Sequence, residues 1–125
     1  MSAKFTSVAS TRIRAWPSLT YQVREKEWIT YEDAHRRLSG LPAQLAGFQD
    51  RGLLRVGGPA DVVVYDPAEL EVGPNVVVHD LPGGEWRRIQ KAKGYHAVFV
   101  NGEQTIADDE QTNQHSGFLL RHGKG

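Results

Sequence analysis

The stretch LLRVGGPADVVVYDP, residues 53–67, marks the point where the chain changes from helical to strand patterning. A turn-forming Gly-Gly-Pro-Ala-Asp sequence leads directly into the apolar run Val62–Tyr65, and Asp66 and Pro67 end that run. Short β-branched runs bounded by glycine, proline and aspartate are typical of strands. Because Asp61 lies at the mouth of this hydrophobic strand, its carboxylate either performs chemistry or holds a turn in shape.

Strand patterning continues downstream, most clearly in GYHAVFVNGEQTIADD. Tyr95–Val100 predicts one strand, Asn101 and Gly102 suit a type I′ turn, and residues 103–106 return as the second strand. A further β-branched run occupies residues 76–78. The sequence therefore predicts about four to six strands after residue 53.

Helical patterning precedes residues 53–67, which we call the decisive stretch. Leu19 and Val23 lie four residues apart, with Trp28 further along, and helical spacing places them on one face. In LPAQLAGF, Pro42 occupies a position that suits the first turn of a short third helix. We expect two or three helices within residues 18–48.

The clearest helix start lies in ITYEDAHRRL. Thr30 is a good N-cap, and Asp33 three residues later makes the pattern close to a capping box. Ile29, before the cap, is expected to pack against Ala34 as a hydrophobic staple. Gly40 is expected to end this helix.

These patterns together predict the fold class and its division. The chain is expected to be mainly β with N-terminal helices, an α+β arrangement containing a small β-sandwich-like domain. We expect a flexible N-terminal segment over residues 1–17, a helical segment over residues 18–48 and a small β-domain over residues 49–125.

Composition and charge exclude several classes of protein. The 125 residues suit one domain, and 39% hydrophobic with 24% charged residues indicates a globular chain. Fifteen basic and fifteen acidic side chains give no net charge, so we expect neither nucleic acid nor a membrane as partner. The sequence contains no cysteine, which excludes disulfides and thiol chemistry. Without a long apolar run or the apolar core of a signal peptide, the sequence predicts a cytoplasmic protein.

One basic stretch could still form a nucleic-acid patch. RRIQKAK, Arg87–Lys93, carries four positive charges between Trp86 and Tyr95. The simpler interpretation is a solvated strand face with Ile89 turned inward, and the balanced overall charge favours it.

The histidines and the acidic cluster give no local metal or catalytic motif. The five histidines are scattered and lack metal-ligand spacing, which favours surface or packing roles, although a tertiary cluster stays open. They are His35, His79, His96, His115 and His122. Asp108, Asp109 and Glu110 follow a hairpin strand, where a solvated loop is the expected role.

Nucleophile and phosphate motifs are also missing. The sequence places no serine in a nucleophile elbow, and Ser116 with Gly117 is more simply a turn. GPAD lacks the lysine and the following helix of a phosphate-binding loop. Asp61, after Gly-Gly-Pro, is expected to accept backbone N–H bonds from the turn and to lock it.

Three segments resemble the C-terminal end of the amidohydrolase superfamily, and most closely its N-acyl-D-amino-acid deacylase (D-aminoacylase) group. ITYEDAHRRLSGLPAQLAGFQDRGLL is similar to the last barrel helices of that group. GGPADVVVYDP is similar to the strand that enters its small β-domain, and GYHAVFVNGE with GFLLRHGKG is similar to its closing hairpin and tail. The resemblance covers residues 21–121, about four fifths of the chain.

This resemblance implies a metal-dependent hydrolase of carbon–nitrogen bonds other than peptide bonds, whose chemistry lies in a (β/α)₈ barrel. There a His-x-His pair, later histidines and an aspartate hold one or two divalent metals that activate water. The present sequence has no His-x-His pair, and no aspartate precedes Tyr21. No catalytic, cofactor-binding or metal-binding residue is therefore carried over, no cofactor is expected, and Asp61 matches the structural aspartate at the strand start.

Three functions follow in order of preference. The first is a non-catalytic C-terminal β-domain fragment or subunit that is inactive alone. The second is a free-standing interaction module. The third is a small enzyme built on a cluster of histidines with Asp108 or Asp109. Because the helices over residues 18–48 would normally pack on a barrel, their apolar stripe needs a partner, and we expect a homodimer or pairing with a separate barrel subunit.

Overall fold

The computed structural model describes residues 4–6 and 18–123. Two helical segments, α1 (Ser18–Glu25) and α2 (residues 31–45), precede most of the strands. The strands are β1 (Lys4–Thr6), β2 (Val62–Tyr65), β3 (Glu71–Val78), β4 (Arg87–Lys93), β5 (Tyr95–Val100), β6 (Glu103–Ala107) and β7 (Glu110–Gln111). The expected fold class, mainly β with helices first, is confirmed. Of the predicted flexible segment, residues 1–3 and 7–17 lie outside the described residues.

The first helix, α1, is a π-helix and presents only part of the expected apolar face. Leu19 and Val23 are buried, as their spacing predicts. Trp28 was placed wrongly on the same face, because it lies beyond the end of α1 and is 66% exposed. Its ring meets Tyr21 edge-on, with centroids 5.8 Å apart.

The second helix, α2, begins where its cap predicts. The Thr30 hydroxyl accepts the backbone N–H of Asp33 at 3.2 Å. The Asp33 carboxylate does not close a capping box, because it accepts a hydrogen bond from Arg37 at 2.9 Å instead. Ala34 is fully buried, and Ile29 packs against the cluster that contains it, as expected for the staple.

The predicted end of this helix at Gly40 is wrong. Three pieces run on without a break, an α-helical Tyr31–His35, a π-helical Arg36–Gly40 and an α-helical Leu41–Leu45. Gly40 keeps helical angles, and a Cβ there would lie 3.4 Å from a Leu53 methyl group, an ordinary van der Waals contact. The left-handed residue that follows the helix is Gly47, with φ of 73°.

Within the described residues the strands form two antiparallel sheets. The main sheet has the order β1–β2–β5–β6–β7, and β3 pairs with β4 as a separate two-stranded arm. The predicted hairpin is confirmed, since β5 and β6 pair across Asn101 and Gly102, both with the positive φ of a type I′ turn. Six strands follow the helices, within the expected range.

The arm contains the basic stretch. Its charged side chains are exposed and Ile89 is half-buried, as the solvated interpretation predicts. Arg87 donates two hydrogen bonds to the Asp80 carboxylate, at 2.7 and 2.6 Å. Residues 76–78 belong to the longer strand β3, because pairing with β4 extends the regular backbone to Glu71.

One apolar core joins the helices to the main sheet. Its buried members come from α1, α2, β2 and the turn after β2: Leu19, Val23, Ala34, Val63, Tyr65 and Leu70. Alternation along β2 points Val63 and Tyr65 toward the helices. Because the decisive stretch supplies this strand, both of its flanking aspartates, Asp61 and Asp66, have fixed positions. Within the described ranges, no helix has the length and apolarity needed to span a membrane.

Candidate functional site

Asp61 lies at a buried junction between three segments. One carboxylate oxygen, Oδ1, accepts the backbone N–H of Asn101 at 2.8 Å. The other, Oδ2, accepts a hydrogen bond from the guanidinium of Arg51. The two side chains are 13% and 7% exposed, so the pair is largely shielded from water. The expected structural role is supported, but the N–H group comes from the hairpin turn and not from the turn before Asp61.

The junction also fixes the C-terminal tail. The side-chain amide of Asn101 (Nδ2) donates a hydrogen bond to the carbonyl oxygen of Ser116 at 2.7 Å. The Arg51 guanidinium lies 5.1 Å from the centre of the Phe118 ring. The expected turn at Ser116 and Gly117 is wrong, because the tail lies irregularly along the hairpin turn, where Asn101 holds it.

A cleft of about 610 Å³ opens beside this junction, between the end of α2 and the tail. We call it the helix–tail cleft. The tail is anchored there because Gly123 donates its backbone N–H to the carbonyl oxygen of Gly47 at 3.1 Å, and the His122 ring nitrogen Nδ1 lies 3.0 Å from the carbonyl oxygen of Ala46. The cleft lining includes Leu41, Phe48, Arg51, Leu53 and His122.

Several exposed apolar side chains lie in the segments that form this cleft. Leu45, at the end of α2, is 78% exposed, and Leu53 in the following loop is 66% exposed. Phe118 and Leu119 in the tail are 60% and 78% exposed. A surface of this kind is characteristic of a face that another protein element covers.

A second group of polar side chains lies at the other end of β2. One ligand atom each from Asp66, Glu69 and His96 lie within 4.8 Å of one another. Asp66 and Glu69 belong to the turn after β2, and His96 belongs to β5. Asp66 and His96 are half-buried, while Glu69 is exposed. We call these three residues the Asp66 cluster.

An acidic cleft of about 380 Å³ adjoins this cluster. Asp109 connects two of the segments that line the cleft, because its carboxylate accepts hydrogen bonds from the backbone N–H groups of Gly94 and Tyr95, at 3.2 and 2.8 Å. Asp108 and Asp109 form an exposed turn, as expected, but Asp109 has defined partners. Glu69 and His96 line the same cleft, together with Glu71 and Lys93.

The remaining histidines are spread over the molecule. His35 Nε2 lies 2.9 Å from the hydroxyl of Tyr65, and His79 Nδ1 lies 3.2 Å from the carbonyl oxygen of Gly84. His115 is exposed in the tail. The histidine cluster with Asp108 or Asp109 that the third function required is therefore not formed, since the described residues bring only His96 to that cleft.

Tyr65 is the buried titratable side chain at the centre of the core. Burial raises the pKa of its hydroxyl well above the ordinary value, and the nearby Tyr31 and Glu32 act in the same direction. Its ring also lies against His35, with centroids 5.8 Å apart. The Tyr65–His35 contact links the sheet to α2.

Similarity to known proteins assigns the chain to a family. The sequence model that describes the amidohydrolase family matches residues 8–108 of this chain. The chain belongs to the amidohydrolase family. An N-acyl-D-aspartate deacylase from Alcaligenes xylosoxydans xylosoxydans is 37% identical over 115 residues, which cover 88% of this chain and 21% of that protein.

Solved structures of D-aminoacylase have the same fold over the shared region. One, described as defining a novel subset of amidohydrolases, has a TM-score of 0.65 and 30% identity, covering 86% of this chain and 21% of that chain. Another, concerned with the binuclear metal center of D-aminoacylase, has a TM-score of 0.65 and 29% identity over the same shares. The chain thus spans about a fifth of the length of the relatives it matches.

The side chains of residues 18–123 of this amidohydrolase chain do not fit a binuclear metal centre. In the described part of the chain, one group of three metal-ligating side chains is found, the Asp66 cluster. At Asp61 both oxygens accept protein hydrogen bonds, and the adjacent Arg51 guanidinium disfavours a metal cation there. No step of a metal-dependent hydrolysis is therefore derived from these residues.

Sequence reasoning missed the two features that organise the site. Arg51 was not singled out, although an arginine ten residues before a strand-entry aspartate is a candidate partner for it. The Asp66 cluster was missed because Asp66 was interpreted only as the end of the strand and Glu69 was not singled out. Asp66-Pro67 followed by an acidic residue, with a histidine in a neighbouring strand, was the available signal.

Proposed function

We propose that this chain is the non-catalytic C-terminal β-domain of an amidohydrolase of the N-acyl-D-amino-acid deacylase type. In such an enzyme the barrel carries the metal-dependent hydrolysis of the amide bond, and the β-domain completes its fold. The observation that carries this proposal is the match to about a fifth of each relative, in which the described side chains do not fit a binuclear metal centre.

We propose the helix–tail cleft as the surface that faces the barrel. Leu53 lines this cleft, and the helix and the tail that bound it carry the exposed side chains of Leu45 and Leu119. At about 25 cal/mol per Å² of apolar surface removed from water, covering several such side chains supplies several kcal/mol of association energy. The barrel is either a separate subunit or another part of a longer chain.

The Asp61 junction has a supporting role in this proposal. By joining Arg51, the hairpin turn and the tail, it holds the segments around the cleft in one arrangement before the barrel binds. A preorganised surface loses less conformational entropy on association than a flexible one. The carboxylate thus contributes to assembly and not to the chemical step.

The proposal is tested by complementation of a truncated relative. An N-acyl-D-aspartate deacylase that lacks its matching fifth is assayed for N-acyl-D-aspartate hydrolysis, with and without this chain. We expect no hydrolysis by this chain alone and restored hydrolysis when both parts are present. Hydrolysis by this chain alone, at a rate proportional to its concentration, would contradict a non-catalytic role.

The exposed apolar residues also favour a second candidate, a free-standing module that forms a homodimer. Light scattering of the isolated chain at micromolar concentration distinguishes the two. A dimer that Leu53→Ser dissociates would support self-association through the helix–tail cleft. A monomer that still complements the truncated relative would reject the homodimer and leave the barrel as the partner.

A further inference from the structure

The Asp66 cluster has the composition of a metal site. We propose that Asp66, Glu69 and His96 bind one divalent transition-metal cation of the zinc class, at the point where the β3–β4 arm leaves the main sheet. Two carboxylates and one imidazole supply three donors, and water completes the coordination.

The donor atoms are already close to binding distance. A cation with bonds of about 2.0–2.2 Å separates neighbouring tetrahedral ligand atoms by about 3.4 Å. The three donors lie within 4.8 Å of one another. We expect side-chain rotations to close the remaining gap when a cation binds.

Backbone hydrogen bonds hold the turn that carries the two carboxylates. Asp66 donates its backbone N–H to the carbonyl oxygen of Gly94 at 3.1 Å, which ties the turn to the start of β5. Arg24 donates to the carbonyl oxygen of Leu70 at 2.7 Å, and Leu70 itself is buried in the core. The turn is therefore fixed relative to His96 before any cation binds.

The Asp66 carboxylate is oriented but keeps coordination capacity. Its oxygen Oδ1 accepts the backbone N–H of Ala68 at 2.8 Å, which sets the rotation of the carboxylate. A carboxylate has two oxygens and about four lone-pair positions, so this single bond leaves donors available. This is the difference from Asp61, where both oxygens are occupied by protein groups.

A register shift in the sheet brings His96 to the carboxylates. Val64 pairs with Ala97 but Tyr65 pairs with Tyr95, so His96 is the extra residue between them. An extra residue of this kind redirects a side chain out of the regular alternation, and such irregularities are frequent next to functional sites. The same shift places His96 beside Asp66, the residue that follows β2.

The surrounding charge favours a cation. Glu71, Asp108 and Asp109 line the adjoining cleft, with Lys93 as the positive side chain among its lining residues. A surplus of carboxylates in a cleft raises the local concentration of cations. The cleft volume of about 380 Å³ also leaves room for the water ligands.

The donor types select the class of cation. Imidazole nitrogen suits zinc, copper, iron and nickel, whereas all-oxygen sites suit magnesium, calcium and manganese. One imidazole with two carboxylates therefore favours Zn²⁺ over Mg²⁺. A bound cation would connect the turn after β2 to β5 and would fix the base of the arm.

Isothermal titration of the full chain with zinc chloride tests the proposal. We expect one equivalent to bind with a dissociation constant in the micromolar range or below. His96→Gln and Glu69→Gln should each weaken binding at least about tenfold, since even removing a group that only supports a metal ligand has that effect. His115→Gln, which changes an exposed histidine outside the cluster, should bind like the unchanged chain.

Two further measurements, a magnesium titration and the melting temperature, complete the test. Magnesium chloride at the same concentrations should show no saturable binding, and zinc should raise the melting temperature of the unchanged chain but not of His96→Gln. Circular dichroism of each variant checks that it is folded. Absence of saturable zinc binding, equal affinity in His96→Gln and His115→Gln, or equal affinity for magnesium would overturn the proposal.

Discussion

Asp61 and Asp66 flank the same four-residue strand, but the fold gives them opposite surroundings. Asp61 lies at a buried junction where Asn101 and Arg51 use both of its oxygens. Asp66 accepts one bond from its own turn and faces the ligand atoms of Glu69 and His96. The first carboxylate is paired with a buried guanidinium, whereas the second lies beside the Glu69 carboxylate and the His96 imidazole.

The difference shows that saturation of hydrogen bonds, and not residue type, separates a structural carboxylate from a candidate ligand. A buried ion pair contributes mainly through the penalty that follows when one partner is removed. A carboxylate with spare lone pairs beside an imidazole changes stability little until a cation is added. Each prediction below either breaks this contrast or sharpens it.

The largest expected effect comes from matched amide substitutions at the two aspartates. Asp61→Asn keeps an acceptor for the Asn101 N–H but leaves the buried Arg51 guanidinium with only the Asp50 carboxylate, 3.6 Å away, so the free energy of unfolding should fall by about 3 kcal/mol. Asp66→Asn should change it by less than about 0.5 kcal/mol, because its surroundings are partly solvated. Urea denaturation measures both, and equal losses would remove the contrast.

Gly94→Ala should produce the next largest loss. Gly94 has φ of 96°, and a Cβ there would lie 2.8 Å from the backbone of Glu69. Strain at a positive φ together with this clash should cost about 2–3 kcal/mol and move the turn that carries the Asp66 cluster. Gly117→Ala, where a Cβ meets no atom within 4 Å, is the control and should cost less than about 0.5 kcal/mol. Unchanged stability and zinc affinity in Gly94→Ala would show that the turn is not held as described.

Removal of the buried Tyr65 hydroxyl should have a moderate effect that depends on pH. Tyr65→Phe leaves His35 without this contact and should cost about 1–2 kcal/mol at neutral pH. Because burial raises the pKa of Tyr65 in the folded chain, the unfolded chain loses its proton first as the pH increases. Stability from this group is therefore complete below about pH 10 and is lost above it.

Denaturation curves at neutral pH and above pH 10 test this sign. The unchanged chain should lose stability across that interval more steeply than Tyr65→Phe, which has no hydroxyl to titrate. Parallel losses in the two proteins would show that Tyr65 does not contribute to the alkaline transition.

The smallest expected effect on stability comes from the helix–tail cleft. Leu45→Ser changes a mostly exposed side chain and should alter the free energy of unfolding by less than about 0.5 kcal/mol. The same variant should complement the truncated deacylase less well than the unchanged chain, because it removes apolar contact area with the barrel. Val77→Ser, an exposed change on the β3–β4 arm, is the control and should complement normally. Equal complementation by both variants would place the barrel elsewhere on the surface.

Sequence alone predicted features that depend on neighbouring residues. The β5–β6 hairpin followed from Asn101 and Gly102, and the start of α2 followed from Thr30, because both signals lie within a few residues of the structure they cause. Gly40 misled because a glycine can keep helical angles, and here the helix continues through it to Leu45.

The candidate sites were beyond local rules. Asp61 was correctly interpreted as structural, but its partners Arg51 and Asn101 lie ten and forty residues away. His96 reaches the Asp66 cluster through a register shift between β2 and β5, which depends on how the two strands pair. Spacing along a single strand cannot reveal such a displacement.

The most direct test of a non-catalytic β-domain is the hydrolysis rate of the purified chain with N-acyl-D-aspartate, measured with and without one added equivalent of Zn²⁺. We predict no turnover above the buffer rate in either case, even where titration shows that the zinc is bound. Turnover that rises with zinc and disappears in His96→Gln would contradict the account, because it would make the Asp66 cluster a catalytic centre.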